Sequence, residues 1–180
     1  NIMSIEGILW TYAHTGNETL LDYAVEQWDA EEATELNMTE IMSDGMPYMH
    51  GVTYTEEMKL PMLLYAYTGD EKYLEAARRA DDKLIKWHLL PDGVPSSNEH
   101  LGGKNPRTSH ETCDITDYTW SLGYYLMTTG EASYADAIEK AVFNAGPGAV
   151  TKDFKALQYF SSPNQFIATG SSDHNEFKKG

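Results

Sequence analysis

"YAHTGNETLLDYA" (residues 12–24) and "YAYTGDEKYLEAA" (residues 65–77) show how this 180-residue sequence is organised, and "YLMTTGEASYADAI" (residues 125–138) carries the same pattern a third time. Aligned on their Thr-Gly pairs at 15–16, 68–69 and 129–130, the copies lie 53 and 61 residues apart. Four positions after the Gly come Leu20, Tyr73 and Tyr134, and eight after it come Ala24, Ala77 and Ile138. Positions four apart share one face of a helix. Glycine tolerates the left-handed conformation just past a helix C-terminus. Asn17 and Glu18, Asp70 and Glu71, and Glu131 suit the positive end of the helix that follows. Each copy therefore reads as an αα-hairpin with a short connection.

Hairpins recurring at this period predict a solenoid or a closed ring of helix pairs. Rings of six are common among sugar-processing enzymes, and their long loops gather at one mouth. The stretch "EEMKLPMLLYAYTG" reads as helix, started or kinked at Pro61. Residues 91–112, "PDGVPSSNEHLGGKNPRTSHET", form a long Pro- and Gly-rich connection. The chain after Ala145 is also loop-rich, with a strand pair expected around Leu157–Phe160 and Gln165–Thr169. The first residues already show helical spacing and the last show no terminal element. The expectation is a single partial domain over residues 1–180, about half of a ring and truncated at both ends.

Composition narrows the functional classes. Net charge is −15, from 28 acidic and 13 basic residues. Such a surface repels phosphate backbones and anionic lipid, so neither nucleic acid nor membrane is expected as a partner. No apolar run is long enough to span a bilayer, and no signal peptide is visible, which leaves the compartment open. There is no Gly-rich phosphate loop, dinucleotide fingerprint or Gly-x-Ser-x-Gly elbow. Aromatic residues reach 12%, which suits stacking on sugar faces. Trp10, Trp28, Trp87 and Trp120 fall on helices and are expected mainly in the core.

Metal and acid–base chemistry has candidates in the loop 91–112 and just beyond it. Glu99, His100, His110 and Glu111 precede Cys113, the single cysteine of the chain. Carboxylate, imidazole and thiolate all ligate zinc. Glu111 and Cys113 point the same way only where that stretch is extended. On a helix they would diverge by about 200°. A lone cysteine is more often a small buried residue. His50 follows a turn and opens a helix, a place where a histidine commonly bonds the local backbone.

Several runs together resemble glycoside hydrolase family 127, the beta-L-arabinofuranosidases. They are "HGVTYTEEMKLPMLLYAYTGDEKYLEAA", "PDGVPSSNEHLGG", "HETCDITDYTWSLGYYLMTTGEASYADAIEKAVFNAGPGA" and "QYFSSPNQ". The resemblance covers most of residues 48–175. It implies a catalytic ring of six helix hairpins, so the expected fold is all-α, a partial (α/α)6 toroid of αα-hairpins, to which the reading of the residues adds long loops and a short β-hairpin near residues 157–169. It also implies a retaining glycosidase that holds Zn2+ and acts on L-arabinofuranosides of plant-type glycans. Glu111 and Cys113 of the Glu-Thr-Cys motif match two zinc ligands, Glu99 the general acid/base, and His50 a histidine lining the sugar pocket. The cysteine nucleophile of such enzymes comes from a Cys-Cys pair past the Pro-Asn-Gln region, which this sequence does not contain. These 180 residues alone are thus expected to be inactive and to bind zinc weakly. Two other functions fit the hairpins: another ring enzyme, such as a sugar epimerase or unsaturated-glycan hydrolase, and a non-catalytic helical-repeat scaffold.

Overall fold

The computed structural model describes residues 2–31, 38–105, 108–165 and 177–179. After a 3-10 turn at Ile2–Ser4 come α1 (Ile5–Thr15), α2 (Glu18–Glu31), α3 (Met38–Met42), α4 (Gly51–Glu57), α5 (Lys59–Thr68) and α6 (Glu71–Trp87). The short strands β1 (Ser97–Asn98), β2 (His100–Leu101) and β3 (His110–Glu111) lead into α7 (Thr112–Thr129) and α8 (Ala132–Gly148). The chain then forms β4 (Ala156–Gln158), β5 (Phe160–Ser161) and β6 (Phe177–Lys179).

The three Thr-Gly turns join α1 to α2, α5 to α6 and α7 to α8. Gly16, Gly69 and Gly130 are all left-handed, with φ of 65°, 69° and 71°. Each donates its N–H to the carbonyl four residues back, on Tyr12, Tyr65 and Leu126. The threonine has a duty of its own. The hydroxyls of Thr15, Thr68 and Thr129 accept from the N–H groups of Asn17, Asp70 and Glu131, which would otherwise be orphans at the next helix start.

Helices α1, α5 and α7 pack side by side as one row, and α2, α6 and α8 each return along their hairpin partners. Of the face forecast by the repeat, Ala24 and Ala77 are inaccessible and Tyr73 and Tyr134 nearly so, while Leu20 and Ile138 are half-buried. Buried tyrosines bind the row together. Tyr125 donates to the carbonyls of Met58 (2.9 Å) and Ala77 (2.7 Å), and Tyr54 to that of Ala80 (3.1 Å). Of the tryptophans, only Trp28 is core. Trp10 and Trp120 are 63% and 52% exposed on α1 and α7. Both helices have a second apolar face that periodicity cannot distinguish from the first. Among the described residues, no helix is long and apolar enough to cross a membrane.

Pro61 breaks the helix at its start. Lacking an N–H, it cannot bond the Glu57 carbonyl, so α4 ends at Glu57 and α5 begins at Lys59, with Pro61 in its first turn. The strand expected near Leu157 exists as β4. Antiparallel β4 pairs with β6, while β5 pairs with β3. Gln165 lies in no strand, and residues 166–169 are outside the described residues.

Gly51 lets α4 start against β1 and α7. A Cβ there would lie 2.4 Å from the Ser97 Cβ and 3.0 Å from an Asp114 oxygen. Gly51→Ala is therefore expected to cost about 1–3 kcal/mol through overpacking, read as a lower urea midpoint at unchanged m-value.

Two buried groups make stability depend on pH in opposite directions. His88 is fully buried, its Nδ1 accepting from the Gly103 N–H at 3.0 Å, and burial pushes its pKa down to about 4 from 6.5. Between those values the unfolded chain binds a proton that the fold does not. The His88 contribution is thus complete above pH 6.5 and is lost as pH falls to 4, by up to about 3 kcal/mol. Asp81, buried against the Tyr118 hydroxyl at 3.0 Å, is pushed up to about 6 by burial. Its contribution is complete below pH 3.8 and lost as pH rises through 6, so it offsets His88 in acid. Asp81→Asn should therefore steepen the loss of stability from pH 6.5 to 4, as measured by urea unfolding at both pH values.

Candidate active site

The candidate residues meet at the N-terminal ends of the helix row, away from the Thr-Gly turns. His50 is the N-cap of α4. Its Nδ1 accepts from the Thr53 N–H at 3.2 Å and lies 3.0 Å from the Thr53 hydroxyl. This is the local backbone role that the sequence suggests for a helix-opening histidine, and it leaves the other ring nitrogen free to face the site. Nε2 is 3.4 Å from Glu99 Oε2 and 3.9 Å from Glu111 Oε1. With Nδ1 accepting from a backbone amide, the neutral ring carries its proton on Nε2. In this tautomer His50 turns its Nε2–H towards both carboxylates at ion-pair distance, and it would ligate a cation through Nε2 only with that proton displaced.

Glu99 is the single residue at the tip of the β1–β2 turn, where Asn98 pairs with His100. Its φ is +66°, a region that non-glycine residues seldom adopt. The Gly51 N–H holds its carbonyl at 2.8 Å, which fixes the turn against the start of α4. Its side chain is 51% exposed.

Glu111 is buried, with extended backbone (φ −78°, ψ 153°), and is the N-cap of α7. Cys113 is already in the first turn of that helix. This strand-to-helix junction answers the orientation problem: the two side chains converge although the residues are two apart. The Cys113 thiol donates to Glu111 Oε2 at 3.3 Å. Burial, then this hydrogen bond and the Glu111 charge, push the thiol up to about 12. Glu111 Oε1 is buried without a hydrogen-bond partner among the described residues.

Ligand atoms of His50, Glu99 and Glu111 all lie within 4.8 Å of one another, close enough to surround one cation. Cys113 touches this group only through Glu111. A pair of adjacent Glu and Cys donors with one idle buried oxygen suits a zinc ion, which takes both ligand types. Two further residues of the site were not evident from sequence. Asp114, fully buried, accepts the Glu111 N–H at 2.9 Å, and burial holds its carboxyl well above the usual range. Tyr159 bonds Glu111, and that bond, followed by burial, raises its phenol pKa. The Asp three residues after an N-cap was a readable signal for the first; nothing local marks the second.

Residues 2–179 match the family model described as beta-L-arabinofuranosidase, GH127 catalytic domain. The chain belongs to the GH127 family. Solved structures agree on the fold. A GH127 beta-arabinofuranosidase superposes with a TM-score of 0.76 at 20% identity, over 98% of this chain and 29% of that one. A GH127 beta-L-arabinofuranosidase from Geobacillus stearothermophilus T6 gives 0.67 at 19% identity, over 88% and 30%. An alpha-1,6-mannanase of Salegentibacter shares the fold at a TM-score of 0.70 and 11% identity, over 99% and 48%. No curated protein matches the sequence. The GH127 chain thus has a partial (α/α)6 toroid fold and spans about three-tenths of the length of the two arabinofuranosidases.

Proposed function

We propose that this GH127 chain is about half of the catalytic ring of a retaining, zinc-dependent beta-L-arabinofuranosidase acting on plant-type glycans. Family membership supports a glycosidase. The single observation that carries the finer reading is the meeting of Cys113 Sγ with Glu111 Oε2 beside a buried, idle Oε1.

In this reading Glu111 and Cys113 are two zinc ligands, and the nucleophilic cysteine lies outside residues 1–180. Bound zinc would supply the charge that converts a thiol to a thiolate at neutral pH. Glu99 is the general acid/base. Its half-exposed carboxyl at the mouth can give a proton to the leaving oxygen and then take one from water. His50 lines the sugar pocket and presents its Nε2–H beside Glu99. Buried Asp114 fixes the Glu111 backbone, so the Glu111 side chain enters the site from a rigid helix start. Two ligands fall short of the four that a closed zinc centre takes. Residues 1–180 alone should therefore hold zinc weakly and turn over no substrate.

The test is Cys113→Ser in an active enzyme carrying this chain, with bound zinc and L-arabinofuranoside hydrolysis measured on one preparation. Loss of both is expected. If both persist, the His50–Glu99 pair must act without a thiolate site, as in an epimerase or other ring enzyme. If the parent neither holds zinc nor acts on any glycoside, the chain is a scaffold.

A further inference from the structure

We infer that Asp92, acting through His110, is a positioning residue that sets Glu111 and Glu99 from behind the site. Strand β3 is only two residues long, and its ladder with β5 has two pairs, His110 with Ser161 and Glu111 with Phe160. So short a pairing is marginal on its own. Neighbouring strand residues face opposite sides. Glu111 therefore points into the site and His110 away from it, where both ring nitrogens are engaged. Nε2 donates to Asp92 Oδ2 at 2.7 Å, and Nδ1 accepts from the Ser161 hydroxyl at 3.3 Å.

His110 is 1% exposed and Asp92 10%, so the link is largely shielded although both residues, with Ser161, line the floor of a cleft. Asp92 keeps its other oxygen buried without a partner among the described residues, a cost that stability alone does not favour. What the link secures is register. A slip of one residue would put His110 in the site and turn Glu111 out. The same strand also carries the Glu99 turn, because the Ser109 carbonyl just before it accepts the Ser97 N–H at 2.8 Å. Glu111 thus lies on, and the Glu99 turn is tied to, one short strand braced by Asp92.

The importance of that anchor for metal binding rests on the proposed function; the anchor itself does not. The 180-residue chain has one thiol, in contact with the Glu111 carboxylate, which should suppress its reaction with iodoacetamide. Alkylation of Cys113 therefore reports where Glu111 is. Asp92→Ala should speed it about tenfold, toward the Glu111→Gln rate. Asp92→Asn, which keeps an oxygen for His110 Nε2–H, should stay near the parent. Leu84→Ala, a destabilising change in α6, should also stay near the parent, which separates positioning from general stability. If Asp92→Ala does not fold, His110→Asn, too short to reach Asp92, tests the same link. Parent-like alkylation in the folded variant would overturn the inference. A competitive dye titration with Zn2+ on the same proteins should show roughly 10–100-fold weaker binding when the anchor is cut. Faster alkylation with unchanged zinc affinity would support the positioning role and remove the metal reading instead.

Discussion

In an active enzyme carrying this chain, the proposed role of Glu99 leads us to expect that Glu99→Gly lowers glycosidase turnover by roughly 10²–10⁴-fold and at the same time makes the protein more stable by about 1 kcal/mol. The two effects have separate causes. On the proposed acid/base role, the activity falls because no group remains to protonate the leaving oxygen. That loss should shrink on an aryl glycoside with a nitrophenolate leaving group, which departs without a proton. The stability rises because φ of +66° costs nothing to glycine and is strained for glutamate. Glu99→Ala should lose the same activity without gaining the stability. Turnover on alkyl and aryl arabinofuranosides, set beside urea midpoints for the three proteins, checks both halves. Equal activity in all of them would remove Glu99 from the acid/base role, and equal stability would show that the turn is unstrained.

Glu111→Gln should make Cys113 at least tenfold more reactive towards iodoacetamide at pH 8 in the metal-free chain. With its pKa pushed up to about 12 from 9.0, the thiol is ionised about a thousandfold less often than an exposed one. Burial is the first cause and remains in the variant. The bond to Glu111 and its negative charge are the next causes; the charge is removed, and the acceptor becomes at most a neutral amide oxygen. The pH–rate profile should therefore move down without reaching that of a free cysteine. An unchanged profile would mean that the Cys113 Sγ–Glu111 Oε2 contact does not exist in solution, and the proposed pair of zinc ligands would lose its support. The same substitution should weaken zinc binding, since it removes the carboxylate charge from a buried ligand.

Much of the architecture was legible in the sequence because its signals are local. A Thr-Gly pair ends one helix and starts the next through bonds that span four residues or fewer. Leu20, Tyr73 and Tyr134 repeat at the spacing that one helix face requires. Pro61 marks a break because its missing N–H acts on Glu57, four residues away. The residue types of the site were equally plain: a loop holding Glu99, Glu111 and Cys113, and a histidine opening a helix.

Their arrangement was not legible, because it depends on contacts between distant segments. Whether Glu111 and Cys113 converge depends on where β3 stops and α7 begins, and β3 exists only because β5, some fifty residues later, pairs with it. Glu99 reaches His50 because a one-residue turn is held by the Gly51 amide. The pairing of β4 with β6 was not legible for the same reason, since short strands carry too few residues to specify their pairing. The sequence by itself determined the hairpins and the chemical groups, through interactions that close within a turn or two. Only the tertiary structure decided which groups touch, because every such contact closes a long loop whose cost is met by the packing of the helix row.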